Sequence, residues 1–264
     1  MQKGKVGPDH ATHAARMQIF DAAQDSHDLS ERQVPGHRLF IAVPRGRAPQ
    51  AGWPVLYMLD GNAAFDFLTP EHLAMAAGLV LVGVGYDTDR QFARERRTFD
   101  FTPPDGPDGV RPDHVHEGRM AGGAGRFLDQ LTGPLRAEAE RGLPVDPARR
   151  ALWGHSFGGL FTLFAYLTQP KAFARFAAIS PSVWWDEGLM QSIARSARAD
   201  APLLLALSDA EKRSGADGPP PDGPAPATMA LAALLRPDLH ILPGLRHIDT
   251  LAASFPLALR FAQG

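Results

Sequence analysis

The sequence contains no cysteine in its 264 residues, and no apolar run approaches the roughly 20 residues of a membrane-spanning helix. The absence of cysteine excludes disulfide bonds, cysteine-ligated zinc and a thiol nucleophile. Lysine is also scarce, since only four of the 27 basic residues are lysine and the others are arginine. Genomic composition is the simplest explanation of that bias. Any nucleophile in this chain must therefore be something other than a thiol.

The charge balance is close to neutral, with a formal net charge of −2 and an isoelectric point near 6.5. Such a balance gives no indication of binding to nucleic acid or to a membrane surface. Because 44% of the residues are apolar, the chain can bury a sizeable core, and we predict a single domain over residues 1–264. We expect neither a cofactor nor an obligate protein partner.

The first residues carry lysines and histidines but no apolar segment of the kind that a signal peptide requires. We therefore predict a flexible N-terminus over residues 1–15. The same observation favours a cytoplasmic protein, or a periplasmic one if an export signal was removed.

Short apolar runs alternate with segments of helical periodicity along the chain. The predicted strands are 16–22, 37–43, 54–59, 79–86, 151–153, 173–179, 202–207 and 239–242. The predicted helices are 70–77, 125–141 with a kink at Pro134, 160–167, 187–197, 229–235 and a closing helix that ends at Ala262. This alternation predicts an α/β fold with a mostly parallel central sheet and helices on both faces.

Two segments break the alternation. Residues 87–125 are dense in charge and then rich in Pro, Gly, Asp and His, which indicates a functional or lid-like loop. Residues 214–227 are rich in proline and glycine among small residues, which favours a mobile insertion over a domain linker.

The run Gly154-His-Ser-Phe-Gly158 stands between a predicted strand and a predicted helix. This is the G-x-S-x-G nucleophile elbow, in which a strained turn lifts the serine hydroxyl off the sheet. Ser156 is therefore the candidate nucleophile.

A serine hydroxyl needs a base and an acidic group that orients the base. In folds with a G-x-S-x-G elbow, the acid and then the histidine follow the serine along the chain. Only His240 and His247 lie downstream of Ser156, and His240 falls inside a predicted strand. His247 is therefore the candidate base. Glu211 and Asp209 both follow the strand 202–207; Glu211 is preferred, and a Ser–His dyad stays possible.

An oxyanion hole requires two backbone N–H groups that point at the developing charge. The Phe157 amide follows the nucleophile, and the Asn62 amide follows the early buried strand in Asp60-Gly61-Asn62. An ordinary Asp-Gly turn is the alternative explanation of the second segment. His114 and His116 suggest a metal site only weakly, because no further ligand lies near them, so we predict no metal.

Several motifs together resemble the siderophore esterases of the α/β-hydrolase superfamily, which hydrolyse the trilactone backbone of enterobactin, salmochelin or bacillibactin. The motifs are Leu59-Asp-Gly-Asn62, Arg96-Arg-Thr-Phe-Asp-Phe-Thr-Pro103, Gly122-Gly-Ala-Gly-Arg-Phe-Leu128, Val145-Asp-Pro147, Gly154-His-Ser-Phe-Gly-Gly159 and Ile179-Ser-Pro-Ser-Val-Trp-Trp-Asp186. The resemblance spans about residues 30 to 250. It departs from the family at Ser208, where a glycine is usual, and at residues 214–227, which have no counterpart.

The resemblance implies a serine esterase in which Ser156 and His247 react, and Phe157 and Asn62 bind the oxyanion. The expected substrate is a catecholate siderophore such as ferric enterobactin, whose tris-catecholate complex carries about three negative charges that arginine side chains suit. The candidate substrate-binding residues are Arg90, Arg94, Arg96, Arg97, His155, Trp184 and Trp185. The alternatives are that Arg96 or Arg97 is structural and that one tryptophan belongs to the core.

Other functions remain as rivals at this point. A carboxylesterase or thioesterase of the S-formylglutathione hydrolase type would act on small acyl esters. A siderophore-binding protein without catalysis is disfavoured because Ser156 and His247 are both intact. A peptidase is disfavoured because nothing resembles a propeller or gating domain.

Overall fold

Six parallel strands form the centre of the computed structural model, which describes residues 13–106, 109–211 and 223–264. The sheet has the strand order β1-β2-β4-β3-β7-β8-β9-β10, with β1 and β2 attached antiparallel at one edge. Its strands are β1 His27–Val34, β2 His37–Pro44, β3 Trp53–Leu59, β4 Val80–Tyr86, β7 Val145–His155, β8 Arg175–Ile179, β9 Leu203–Ser208 and β10 Asp238–Leu242. A separate pair consists of β5 Arg111–Pro112 and β6 Met120–Ala121.

Helices cover both faces of this sheet, as the alternation of strands and helices predicts. Their bounds are α1 Gly61–Phe67, α2 Pro70–Met75, α3 Arg94–Phe101, α4 Ala124–Gln130, α5 Arg136–Glu140, α6 Phe157–Thr168, α7 Glu187–Ser196, α8 Pro226–Leu235, α9 Asp249–Ala253 and α10 Phe255–Gln263. Successive strand residues point to opposite faces, so the sheet divides the core in two. Leu39 packs in one half with Phe161 of α6, and Phe40 packs in the other with Phe65 of α1. The predicted α/β-hydrolase architecture is confirmed.

The beginning of the predicted sheet is wrong. Residues 16–22 contain no strand, and Gln18–Phe20 form a 3-10 turn because the Asp66 carboxylate accepts the backbone N–H groups of Arg16 and Met17 at 2.6 and 2.8 Å. The first strand is β1, which lies at the sheet edge and is largely exposed. A polar edge strand gives too few apolar positions for a period of two to be noticed.

The structure describes only residues 13–15 of the N-terminus that we predict to be flexible. Residues 1–12 lie outside the described residues, but residues 13–15 are not the free tail that we predict. Ala14 forms a β-bridge with Arg90, and the Ala15 amide donates to the Asp89 carbonyl at 2.8 Å.

The predicted loop 87–125 contains regular structure in its described part. Arg94–Phe101 forms α3, whose inner face buries Arg97, Thr98 and Phe101 against the fold. The charge density of this segment conceals an amphipathic helix, because one of its arginines is buried. The strands β5 and β6 then pair before α4 begins.

Most of the remaining elements agree with the predicted ones to within a few residues. The exceptions are some helix boundaries, missed short helices such as α1, and the strand predicted over 151–153, which is the longer β7 Val145–His155. The predicted kink of helix 125–141 is confirmed, since Leu131–Leu135 is π-helical and Gly133 has non-helical dihedral angles directly before Pro134. Residues 214–222 of the predicted insertion 214–227 lie outside the described residues, whereas its last two residues begin α8. Within the described ranges, no helix is long and apolar enough to cross a bilayer.

Candidate active site

Ser156 occupies a sharp turn between β7 and α6. Its backbone angles are φ 61° and ψ −118°, a conformation that a residue with a side chain rarely adopts. The turn is possible because the neighbouring glycines have no side chain: a Cβ on Gly154 would collide with the Gly158 carbonyl, and one on Gly159 would lie 2.7 Å from the Ile179 carbonyl oxygen. The strain therefore presents the Ser156 hydroxyl at the carboxyl edge of the sheet.

His247 lies in the turn between β10 and α9, next to this hydroxyl. Its Nε2 is 2.9 Å from Ser156 Oγ, and its Nδ1 is 2.6 Å from Glu211 Oε2. Asp209, the alternative acid, instead accepts the Gly244 amide at 2.7 Å. The structure thus brings Ser156, His247 and Glu211 into one line, and it separates Asp209 from the histidine.

Glu211 is held on its other oxygen as well. Oε1 accepts the Ser180 hydroxyl at 2.5 Å and the Ser208 amide at 2.7 Å. Burial raises the pKa of Glu211, but the hydrogen bonds from His247, Ser180 and Ser208 outweigh burial, so the pKa lies below its ordinary value. The carboxylate is therefore ionised at neutral pH and can stabilise a positively charged imidazole.

Ser208, the position at which a glycine is usual in the family that the motifs resemble, connects the acid loop to the histidine loop. Its hydroxyl oxygen accepts the amides of Ala210 and Leu245, both at 3.1 Å. A glycine has no side chain to make these bonds. The departure therefore adds a brace to the acid rather than weakening its assignment.

The two candidate oxyanion amides begin helices that point at the same edge. Phe157 is the first residue of α6 and Asn62 is the second residue of α1, and amides in the first turn of a helix have no partner within the helix. The Asn62 side chain fixes its own turn, because its Oδ1 accepts the Tyr86 amide at 2.8 Å and its Nδ2 donates to the Thr88 carbonyl at 3.0 Å. Asp60-Gly61-Asn62 is therefore a helix start beside the nucleophile, not an ordinary turn.

Comparisons with known proteins identify the family of this chain. Residues 36–216 match the esterase family model described as "Putative esterase". The apo-salmochelin esterase of Escherichia coli is 37% identical over 185 residues, which cover 67% of this chain and 56% of that relative. The ferri-bacillibactin esterase BesA of Bacillus subtilis is 31% identical over 252 residues, which cover 86% of this chain and 84% of that relative.

This chain belongs to the siderophore esterase family. Among solved structures, the enterobactin and salmochelin hydrolase IroE superposes with a TM-score of 0.74 at 28% identity, covering 94% of this chain and 99% of that chain. An S-formylglutathione hydrolase from Agrobacterium tumefaciens shares the fold alone, with a TM-score of 0.53 at 18% identity. The family resemblance that the motifs indicate is thus confirmed.

Arg97 is buried, and the prediction that it binds the substrate is corrected. Its guanidinium is bound to the Asp60 carboxylate by a pair of bonds at 2.8 and 2.7 Å, and both side chains are at most 10% exposed. The guanidinium also lies 5.4 Å from the centre of the Phe157 ring. Arg97 is the structural arginine that the sequence left as an alternative, and it joins the two elements that carry the oxyanion amides.

Two further predicted substrate-binding residues are buried. His155 is 3% exposed, and its Nε2 lies 2.9 Å from the His247 carbonyl oxygen, so it contacts the base rather than a ligand. Trp185 is fully buried and donates its indole N–H to Asp113 at 2.9 Å. Trp185 is therefore the core tryptophan of the pair, and the assignment of both residues to the substrate is corrected.

Trp184 and the other arginines remain candidates for substrate contact. Trp184 is half-buried, packs edge-on against Phe157 at 6.1 Å between ring centres, and lines a cavity of about 430 Å³ together with Arg111 and His114. Arg90 and Arg96 are exposed and Arg94 is half-buried. The Arg96 guanidinium lies 5.6 Å from the centre of the Tyr86 ring and 4.0 Å from Asp100.

Sequence reasoning missed several polar residues at the site. Ser182 Oγ lies 3.2 Å from Ser156 Oγ, and Ser180 binds the acid. Both belong to the motif Ile179–Asp186 that carries the resemblance, which is the only signal that pointed to them. His114 and His116 bind the Trp185 carbonyl and Asp113, each at 2.6 Å, and among the described residues no cluster of three or more such ligands could hold a metal ion.

Proposed function

We propose that this protein is a serine esterase that hydrolyses the trilactone ester bonds of a catecholate siderophore. The observation that carries the proposal is the line from Ser156 through His247 to Glu211, with contacts of 2.9 and 2.6 Å, in a chain that belongs to the siderophore esterases. The match covers 56% of the length of the Escherichia coli relative. The activity of the whole protein is therefore a proposal that rests on the geometry of the site as well as on family membership.

In the first half of the reaction, Ser156 Oγ attacks the ester carbonyl carbon while His247 Nε2 accepts the hydroxyl proton. The electron pair of the carbonyl moves onto its oxygen, which the amides of Phe157 and Asn62 stabilise. Glu211 stabilises the imidazolium through Nδ1–H. As the intermediate collapses, the ester C–O bond of the lactone breaks and His247 gives its proton to the departing alkoxide oxygen. The substrate leaves this end as an alcohol, and its acyl group remains on Ser156.

In the second half, a water molecule takes the place of the leaving alcohol. His247 accepts a proton from the water as it attacks the acyl carbonyl, and the same amides hold the oxyanion. As this intermediate collapses, the bond between the acyl carbon and Ser156 Oγ breaks, His247 returns the proton to Oγ, and a carboxylic acid is released. The chain's own residues supply the nucleophile of the first half, and they supply the base and the charge stabilisation in both halves.

We assign recognition of the anionic catecholates to Arg90, Arg94, Arg96 and Trp184, none of which is fully buried. Exposed guanidinium groups suit delocalised anions, and an indole face suits a catechol ring. Two relatives carry names that differ in iron state, apo-salmochelin and ferri-bacillibactin, so the iron preference of this protein is a separate question. The proposal therefore names the siderophore class and leaves both forms to the assay.

The test is a product assay by liquid chromatography and mass spectrometry, with apo and ferric enterobactin offered beside p-nitrophenyl butyrate. We expect release of linear trimer, dimer or monomer of the acylated serine, and the two arms report the iron preference. Turnover of the butyrate alone would contradict the siderophore substrate and retain the Ser156 mechanism. Preferred turnover of a small thioester would instead support the S-formylglutathione hydrolase alternative.

We also propose that the protein acts in the cytoplasm, with the periplasm as the alternative. Fractionation of cells that express the full-length gene product tests this proposal directly.

A further inference from the structure

His155 is a buried titratable residue that neither the elbow motif nor the reaction steps use. Its Nε2 contacts two oxygens, the His247 carbonyl at 2.9 Å and the Thr250 hydroxyl at 3.0 Å. A carbonyl oxygen can only accept a hydrogen bond, so Nε2 carries the proton. Its Nδ1 is buried without a hydrogen-bond partner, and burial, with the charges of His247 and Arg97 nearby, holds the pKa of His155 well below its ordinary value. His155 is therefore a neutral donor.

The hydroxyl beyond it, Thr250 on α9, has one proton and two oxygens to give it to. Thr250 Oγ1 lies 2.7 Å from the His247 carbonyl and 2.8 Å from Ser180 Oγ. The geometry allows Thr250 to donate to the His247 carbonyl, but the His155 N–H also reaches that carbonyl. Because the Ser180 proton goes to Glu211, the 2.8 Å contact between Thr250 and Ser180 is a hydrogen bond only if Thr250 donates there, and we assign the Thr250 proton to Ser180. Without His155, the carbonyl would need that proton instead.

The next hydroxyl has its direction fixed by the acid. The Glu211 carboxylate can only accept, so the Ser180 hydroxyl donates its single proton to Oε1 at 2.5 Å. The backbone of Ser180 has φ 43°, an uncommon conformation for a serine, and its N–H donates a hydrogen bond to the Ala206 carbonyl at 2.7 Å. Both features hold Ser180 in place for its contact with Glu211. All three donors, from His155 to Glu211, therefore point the same way.

We propose that His155 is a positioning residue, the first donor of a buried chain through Thr250 and Ser180 that fixes Glu211 while it also holds the backbone of His247. His155 thereby braces both members of the acid–base pair. In such a chain each bond polarises the next, so that Ser180 donates more strongly to the carboxylate. The titratable or charged groups around the chain are Glu211, His247 and Arg97 with its partner Asp60.

The inference rests on the proposed function, because it concerns the same acid and base. Two substitutions remove one link each: Thr250→Val keeps the shape and loses the hydroxyl, and His155→Leu loses the first donor. Their conservative partners are Thr250→Ser and His155→Gln, which keep a donor. Thr162→Val is the matched control, since Thr162 is equally buried and its hydroxyl donates only to the Gly158 carbonyl.

We expect Thr250→Val and His155→Leu each to lower kcat for p-nitrophenyl butyrate about tenfold, with KM changed less than about twofold. Both should move the acidic limb of the pH–rate profile to higher pH, because a carboxylate that loses a donor has a higher pKa and the acid and the base take up their proton as a coupled pair. The double variant should be no slower than the slower single one, since both act on one chain. Thr250→Ser, His155→Gln and Thr162→Val should retain most of the rate and the wild-type profile.

Additive losses in the double variant, or an unmoved acidic limb, would overturn the proposal and leave only a packing role. A measurement on the wild-type enzyme covers the case in which the variants do not fold. NMR of the protein labelled with 15N-histidine should show His155 as the neutral Nε2–H tautomer from about pH 5 to about pH 8. The Nδ1–H tautomer of His155, or a charged ring, would contradict the proposed order of donors from His155 to Glu211. Failure of the proposed function is distinguished by the absence of both ester turnover and fluorophosphonate labelling of Ser156.

Discussion

The carboxyl edge of the sheet and helix α3 use charged residues in opposite ways. At the edge, Glu211 and His247 remain half-buried and form a line that leads to an accessible hydroxyl. On α3, Arg97 is withdrawn from solvent and paired with Asp60, while its neighbour Arg96 is exposed. The order of residues along the chain indicates which groups react, whereas the density of arginine does not indicate which groups meet a ligand. Burial decides that question, and it differs between adjacent residues.

The sharpest way to test the contrast is to remove the base. His247→Ala leaves Ser156 without a proton acceptor, and we expect kcat for any ester to fall by about 10⁵-fold. The melting temperature should change little, because the side chain is half-buried and packs outside the core. Steady-state kinetics and thermal unfolding check the two halves of this expectation. A large loss of stability with a modest loss of rate would assign His247 to the fold instead.

The acid should produce the next largest effect. Glu211→Gln removes the charge that stabilises the imidazolium. If the amide oxygen keeps the donors of Ser180 and Ser208, the NH2 group faces His247 Nδ1, so kcat should fall by about 10³- to 10⁴-fold. Asp209→Asn is the matched control, since the amide oxygen can still accept the Gly244 amide, and we expect a loss below about threefold. Equal losses in the two variants would remove the distinction between Glu211 and Asp209.

On α3 the same kind of substitution should act on the fold. Arg97→Ala leaves Asp60 buried without a partner, and the free energy of unfolding should fall by about 3–5 kcal/mol. Because the ion pair supports the oxyanion elements and does not face a ligand, any loss of kcat/KM should be equal for a catecholate trilactone and for p-nitrophenyl butyrate. A selective rise in KM for the anionic substrate would instead show that Arg97 contacts the substrate.

Arg96→Ala is the counterpart at the adjacent position and should have the smallest effect of the four. Its side chain is 54% exposed, so stability should change by less than about 1 kcal/mol. We expect KM for the anionic catecholate ester to rise about three- to tenfold, with little change for the neutral ester. An equal fold-change in KM for the two substrates would exclude Arg96 from recognition.

The α/β-hydrolase fold and the candidate catalytic residues could be predicted from the sequence, whereas the residues that support them could not. Ser156 and His247 follow from a turn motif and from chain order, and both carry their chemistry in their residue type. Ser180 and Thr250 could not be predicted, because an ordinary serine or threonine acquires its role only from neighbours more than 30 positions away in sequence. Strand β1 was missed because an exposed edge strand lacks an apolar pattern, and α3 because a buried arginine looks like a surface charge.

Hydrolysis of a catecholate trilactone by Ser156 is the central claim, and one pair of enzymes tests it most directly. Wild type and Ser156→Ala are offered the same apo and ferric triscatecholate trilactone, and the linear products are quantified by mass spectrometry. The account predicts efficient product formation by wild type and a loss of more than about 10⁴-fold in the variant, which should remain folded. Undiminished turnover by Ser156→Ala, or no turnover of either trilactone by wild type, would contradict it.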